Sequence, residues 1–180
     1  CDGDGYVEVF DDELQSDCAI TGTNGSPTAV WSGLDHLEGL TVWVKGDGCY
    51  LGEFVVDGGE VTLDAEVSSV EIGLAYETTV ELLPPEIQLQ QGSSLGGSKR
   101  IGEVIMRVHK TTAVTVNGQA IDFRRFGDGL LDGEPPEFTG IVRLNQLGWF
   151  KGDAPLVISQ NVPMPLHVLS VVRRVTVNDG

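Results

Sequence analysis

The sequence predicts an all-β fold, either an antiparallel β-sandwich or a partly closed barrel, built from hairpins. Three observations lead to this prediction. Apolar and polar residues alternate with a period of two, residues that tolerate positive φ separate the alternating segments, and no segment of useful length has the 3.6-residue period of a helix. The chain has 180 residues, of which 41% are hydrophobic. This length is sufficient to enclose a substantial core.

The first half of the chain is predicted to be a series of short hairpins. Alternating segments occupy residues 6–10, 41–44, 60–63, 70–74 and 76–83. Lys45-Gly-Asp-Gly48 and Asp57-Gly-Gly-Glu60 supply the turn residues that tight hairpins require. A single helical turn is expected over residues 32–38, with Ser32 as its cap, because Gly33 and Gly39 leave little room for more.

A break in the pattern separates the two halves of the chain. Pro84-Pro85 cannot donate to a β-ladder, and residues 88–98 are rich in Gln, Gly and Ser. We therefore expect a β-rich domain over residues 31–180 whose subdomains, 31–87 and 99–180, are joined by a flexible loop at 88–98. Residues 1–30 are interpreted as the remnant of a preceding module. Because the sequence opens at Cys1 without Met, we interpret it as a piece of a longer protein.

The second half repeats the strand pattern. Asn117-Gly118 is the strongest hairpin signal in the chain, because Asn-Gly supplies both positive φ values of a type I′ turn. Residues 168–172 are almost continuously apolar, which predicts a central strand covered on both faces. Strands are predicted over residues 101–109, 113–116, 119–123, 138–144, 156–160 and 166–177, with a long loop over 126–137.

Charge is distributed unevenly along the chain, whose net charge is −16. Residues 1–87 carry 19 acidic side chains and one base, Lys45, whereas residues 88–180 carry 8 acids and 10 bases. An acidic half of this kind repels phosphate, which argues against ordinary adhesive binding of nucleic acid. It remains compatible with a surface past which DNA slides without sticking. The alternative interpretation is that acidity only keeps the protein in solution.

The residues that could carry chemistry form no recognisable site. Cys1, Cys18 and Cys49 lack metal-type spacing; a Cys1–Cys18 bridge would need an oxidising compartment, and reduced thiols are favoured. The three histidines, His36, His109 and His167, are far apart and are expected to be structural. Paired carboxylates such as Asp11 and Asp12 are explained by the abundance of acids. We therefore expect no enzyme activity, no catalytic, cofactor-binding or metal-binding residues, and no cofactor.

One segment stands out, Gly33-Leu-Asp-His-Leu-Glu-Gly39. Its leucines, Leu34 and Leu37, are expected to anchor a one-turn corner to the core, and on physical grounds alone the segment is a packing corner. In order, it is followed by Asp47-Gly48, Gly58-Gly59, Gly73-Leu-Ala-Tyr76, Lys99-Arg100-Ile101, Thr139-Gly140, Gly148-Trp149 and Pro165-Leu-His-Val-Leu169. This succession, which covers residues 31–177, resembles the tail hub or nozzle proteins of short-tailed bacteriophages, the tail tubular protein B family.

The resemblance implies a structural function. A protein of this family is a ring subunit, typically sixfold, that lies below the portal and adaptor and forms a conduit for genome ejection. It implies self-association, contacts with the adaptor or head-tail connector and with other tail proteins, DNA passing nearby without sequence-specific binding, and no membrane partner. The expected location is the virion tail, with host cytoplasm during assembly. Acids such as Asp57, Glu60, Asp64 and Glu66 are hypothesised to face the channel or the outer rim.

A second function class remains open, a carbohydrate-binding or adhesion β-sandwich. Such a module is also all-β and acidic, and uses exposed aromatic rings as sugar platforms. Trp31, Trp43 and Trp149 are the candidates, although tryptophan belongs more often to the core.

Overall fold

The computed structural model describes residues 14–86, 88–89, 92–93, 98–121, 123–124, 133–151 and 155–178. Most of these residues lie in antiparallel strands, which confirms the predicted all-β class. A single 3₁₀ turn covers Asp35–Leu37. The strands are β1 (Asp17–Ser32), β2 (Thr41–Gly46), β3 (Cys49–Val55), β4 (Glu60–Leu74), β5 (Thr78–Leu82), β6 (Gln88–Leu89), β7 (Gly92–Ser93), β8 (Ser98–Thr111), β9 (Val114–Val116), β10 (Gln119–Ile121), β11 (Phe138–Lys151), β12 (Leu156–Gln160) and β13 (Val168–Asn178).

The chain divides into two compact units. Unit 1 comprises Cys1–Glu77, Arg124–Pro136 and Asn161–Pro165, and unit 2 comprises Thr78–Phe123, Glu137–Gln160 and Leu166–Gly180. The sequence placed the boundary in the 88–98 loop, of which only the short β6–β7 pair lies among the described residues. Residues 17–30, assigned from sequence to a preceding module, form most of β1, which pairs along β4 within unit 1.

Unit 1 is built on a four-stranded sheet in the order β1-β4-β2-β3. Alternation along its strands directs one set of apolar side chains into a core. The members of this core include Trp31, Leu34, Leu37, Val42, Val44, Val56, Val61, Leu63, Val67, Val70 and Ile72. The β1–β4 ladder is irregular, with register shifts on both sides of Thr28.

The predicted hairpin turns of unit 1 are confirmed. Asp47 and Gly48, which join β2 to β3, have φ values of 46° and 78°. Gly58 and Gly59, between the bridged residues Asp57 and Glu60, have φ values of 64° and 72°. Two consecutive positive φ values are what a type I′ turn requires, and its twist matches that of the flanking strands.

Unit 2 is a two-layer sandwich and not a closed barrel. One sheet has the order β10-β9-β12-β5 and the other the order β11-β8-β13. Side chains from both sheets share one core, which includes Ile101, Val104, Met106 and Val108 from β8, and Val114, Val116, Leu156 and Ile158 from the other sheet. The Asn117-Gly118 turn between β9 and β10 has φ values of 47° and 78°, as predicted.

The prediction of a central strand at residues 168–172 is wrong. In the β11-β8-β13 sheet β8 is the central strand and β13 is an edge strand. Val171 packs against the core, whereas Leu169 and Val172 are 60% and 54% exposed. The apolar run therefore has a buried face and an open one: valine is enriched in strands, so the run indicated a strand without fixing whether both of its faces are covered.

Candidate functional site

The segment Gly33–Gly39 that carries the family resemblance forms a corner of unit 1. Leu34 and Leu37 are fully buried, as predicted, and the 3₁₀ turn lies between them. The expected Ser32 cap is wrong, since Leu34 occupies the cap position and no side chain caps the turn. Gly33 and Gly39, with φ values of 93° and 73°, bound the corner in a conformation that other residues adopt only with strain.

The Glu38 carboxylate joins this corner to the Gly58-Gly59 turn. Its Oε1 accepts a hydrogen bond from the Gly58 N–H at 3.0 Å, and its Oε2 accepts one from the Gly59 N–H at 2.7 Å. The backbone reinforces the contact, because the Leu34 N–H donates to the Gly59 carbonyl at 3.0 Å. Two motifs that lie 20 residues apart in the sequence are thus held as one structural element, which we call the corner clamp (residues 33–39 and 57–60).

The other polar groups of the corner also contact backbone. His36 Nε2 lies 3.1 Å from the Cys18 carbonyl, which confirms its structural role. Cys18 is disulfide-bonded, so the expectation of reduced thiols is wrong for this residue, and its partner lies outside the described residues. Cys49 is a thiol. The corner clamp therefore uses its carboxylate and imidazole to position the chain.

Lys45, the only base among residues 1–87, is used inside unit 1. It pairs with Glu71, which is buried on the neighbouring strand, opposite Lys45 in the β2–β4 register. Glu71 Oε1 also accepts hydrogen bonds from the Ser16 hydroxyl at 2.8 Å and the Gln15 N–H at 2.6 Å. The buried carboxylate is thereby satisfied, as burial of a charge demands.

Asp47 is held by the β4 backbone at the β2–β3 turn. Its carboxylate accepts hydrogen bonds from the Ser68 N–H at 3.1 Å and from the Ser69 N–H at 2.9 Å, and also from the Ser69 hydroxyl at 3.0 Å. The Ser68 bond chiefly, with those from Ser69, lowers the pKa of Asp47 below its usual value of 3.8, against a smaller effect of desolvation. Asp47 is therefore a structural carboxylate.

Four other acids of unit 1 have no such role. Asp57, Glu60, Asp64 and Glu66 are all exposed, and within the described residues their carboxylates have no hydrogen-bond or ion-pair partner. They follow one another along the Asp57–Glu60 turn and β4. They are among the acids of residues 1–87 that the sequence hypothesis placed along the channel or outer rim, and their geometry leaves them available for long-range electrostatic effects.

Tryptophan burial bears on the carbohydrate alternative. Trp31 and Trp43 are 9% and 6% exposed, which confirms their expected place in the core and removes them as sugar platforms. The Trp43 indole N–H donates to Glu53 at 3.5 Å, and its ring meets Tyr50 edge-on at 6.1 Å. Desolvation chiefly, and the Glu53 charge in addition, raise the pKa of Tyr50. The side chain of Trp149 lies outside the described residues.

The described residues hold neither a metal-type cluster nor a membrane-spanning helix. There, His, Cys, Asp and Glu side chains nowhere gather in groups of three or more that would hold a metal ion. No helix in these ranges is long and apolar enough to cross a bilayer. His109 and His167 meet edge-on at 6.2 Å, and His109 Nδ1 lies 3.5 Å from the Thr139 hydroxyl. Asp11 and Asp12 lie outside the described residues.

Unit 2 contains a polar group that sequence reasoning missed. Lys99 at the start of β8 is fully buried, and its Nζ has no hydrogen-bond partner among the residues that the structure describes. In the sequence, Lys99 was considered only as one half of a basic pair. Its position two residues before Ile101, on the same face of β8, is the pattern that could have indicated its burial. Sequence reasoning also missed the hydrogen bonds of Glu38, which no local pattern indicates.

The comparisons with known proteins supply no family for this arrangement. No protein-family model matches the chain, and no curated protein matches it.

Proposed function

We propose that this chain is a structural component of a bacteriophage tail, a subunit of the nozzle or hub ring below the portal and adaptor. In this proposal copies of the chain associate into a closed sixfold ring, which contacts the adaptor and other tail proteins in the virion after assembly in the host cytoplasm. The genome passes through the ring during ejection, and the protein makes no sequence-specific contact with it.

The observation that carries the proposal is the pair of hydrogen bonds from Gly58 and Gly59 to Glu38. Two of the motifs whose order resembles the tail tubular protein B family contact each other directly. The polar groups that join them are bound to backbone, and the leucines of the segment are buried. A motif used in this way supports a protein that acts through its shape.

The charge of unit 1 supports the second part of the proposal. Asp57, Glu60, Asp64 and Glu66 are exposed carboxylates without partners among the described residues. Carboxylates on a surface beside DNA repel phosphates, and so prevent the salt-dependent adhesion that lysine and arginine produce. A conduit for DNA benefits from this repulsion.

The first test is the assembly state of the full-length natural protein. Negative-stain electron microscopy, with mass measurement by light scattering, should show closed rings of six subunits. A protein that stays monomeric in isolation and occupies no ring in assembled particles would refute the proposal.

The second test addresses the path of DNA. Particles assembled with Asp57 and Glu60 replaced by lysine should eject DNA more slowly, because lysines attract the passing phosphates. A matched variant with Asn and Gln at the same positions separates added attraction from lost repulsion, and should lie between the wild type and the lysine variant. Ejection at the wild-type rate by the lysine variant would remove these acids from the DNA path.

A further inference from the structure

The outer surface of the β11-β8-β13 sheet has an unusual composition for a solvent-facing sheet. Its register places nine side chains in three rows across the strands, opposite to the core-facing Val104, Met106 and Val108. We call these nine residues the outer face. The rows are Ile141–Arg107–Ser170, Arg143–Ile105–Val172 and Asn145–Glu103–Arg174.

The outer face combines exposed apolar groups with arginine. Ile141 and Val172 are 57% and 54% exposed. Ile105 lies on the central strand β8, in the same row as Val172 and in the row next to that of Ile141. Among charged residues the face has three arginines and one acid, Glu103, so its net charge is +2. Apolar side chains interspersed with arginine are typical of the centre of protein–protein interfaces.

The arginines differ in how far they are already neutralised. Glu103 accepts from Arg143 at 3.3 Å and from Arg174 at 3.0 Å, so one carboxylate is shared by two guanidinium groups. Arg107 is exposed and has no ion-pair partner among the described residues. The outer face therefore retains positive charge for a partner, beside its apolar side chains.

The chain itself carries a surface of opposite charge. Between the pairs Thr28–Val67 and Val30–Thr62, four residues of β4 stand opposite one residue of β1, so β4 bulges there. Asp64, Ala65 and Glu66 of this bulge are exposed. The carboxylates of Asp64 and Glu66 have no partner within the described residues. We call Asp64–Glu66 the acidic bulge.

We propose that the outer face of unit 2 binds the acidic bulge of a second copy of this chain. The inference rests on the proposed ring function and specifies which surfaces meet: it assigns Asp64 and Glu66 to the contact between copies and leaves Asp57 and Glu60 to face the DNA. Joining two different surfaces is a heterologous contact, which generates a ring when the rotation between subunits closes. The charges select the partner and the orientation, while the apolar groups of the outer face supply the buried area.

Reversing the charge of each surface, first separately and then together, tests the contact. The face variant carries Arg107→Glu and Arg174→Glu, and the bulge variant carries Asp64→Arg and Glu66→Arg. In sedimentation velocity of the full natural chain over a concentration series, each variant alone should associate at least tenfold more weakly than the wild type. A mixture of the two should regain association, with the two variants alternating, because each face then meets a bulge of opposite charge on the other variant. One chain with all four changes should regain association.

Controls distinguish the loss of this contact from a loss of folding and from a general effect of net charge. Lys110→Glu, at an exposed base on β8 that is not part of the outer face, should leave association unchanged. Recovery in the four-fold variant shows that the changed surfaces still fold, and circular dichroism melts check each variant separately. A face variant that associates like the wild type, a mixture that associates no better than either variant alone, or a wild type that stays monomeric would overturn the inference.

The outcomes also separate this inference from the proposed function. Closed rings that persist in the face variant would support the ring function and overturn the proposed contact. Head-to-tail association that depends on Arg107 but yields only open chains in the full-length protein would support the contact and count against the ring.

Discussion

Replacing Glu38 by alanine should destabilise unit 1, because it leaves the Gly58-Gly59 turn without its acceptors. The carboxylate accepts hydrogen bonds from the Gly58 and Gly59 N–H groups at 3.0 and 2.7 Å. Gly58 is exposed, so water can replace its lost partner. Gly59 is buried, so its N–H would be left without a hydrogen bond.

The burial of Gly59 sets the expected magnitude. A buried donor deprived of its partner costs about 1–3 kcal/mol, whereas an exposed donor that regains water costs little. We therefore expect Glu38→Ala to lower the free energy of unfolding by about 1–3 kcal/mol. Glu38→Gln keeps one amide oxygen as an acceptor and should lose about half of that.

Urea unfolding, combined with amide hydrogen exchange of Gly59 and of the β2 backbone, measures this loss. Glu60→Ala is the matched control, because Glu60 is an exposed carboxylate beside the same turn with no partner among the described residues. It should change stability by less than about 0.5 kcal/mol. Equal effects of the two alanine variants, with unchanged exchange at Gly59, would refute the role assigned to the corner clamp.

Three further predictions follow from single side chains. Because the pKa of Asp47 is lower in the folded protein, its contribution to stability is present above about pH 3.8 and is lost as pH falls through the folded value. The stability gap between the wild type and Asp47→Asn in pH-dependent urea unfolding should therefore close in acid, and a pH-independent gap would contradict this. Lys99→Met should raise the unfolding free energy by about 1–3 kcal/mol, since it removes a buried ammonium group that has no partner within the described part of the chain; a loss in the same measurement would show that Nζ contributes favourably. Gly46→Ala would place a Cβ 2.6 Å from Leu51 Cδ1 and should cost about 1–3 kcal/mol of thermal stability, whereas Gly25→Ala, with no atom within 4 Å, should be nearly neutral.

Local sequence patterns predicted the turns because the turns are local. Asp47-Gly48, Gly58-Gly59 and Asn117-Gly118 adopt the expected positive φ values, since residue chemistry and turn geometry are coupled within two residues. Leu34 and Leu37 were likewise predicted as core anchors from their spacing in one short segment.

Features that depend on contacts distant in sequence could not be predicted. The apolar run at residues 168–172 favours a strand, but its position beside β8 is decided by pairing across some 60 residues. The Glu38 hydrogen bonds link residues 20 and 21 positions apart, and a lone glutamate after a leucine carries no sign of them. The sequence therefore predicted the Gly33–Gly39 motif but not the Glu38 hydrogen bonds that stabilise it.

The Lys45–Glu71 pair has a consequence for the environment that unit 1 needs. With Lys45 committed to a buried carboxylate, unit 1 has only Arg124 and Arg125 as further bases to offset its many acids. Dissolved cations must supply the compensation, and at about 0.1 M ionic strength they screen charges over roughly 10 Å. The mobile cation atmosphere is thus part of what keeps unit 1 compact, and dilute buffer should loosen unit 1 before unit 2.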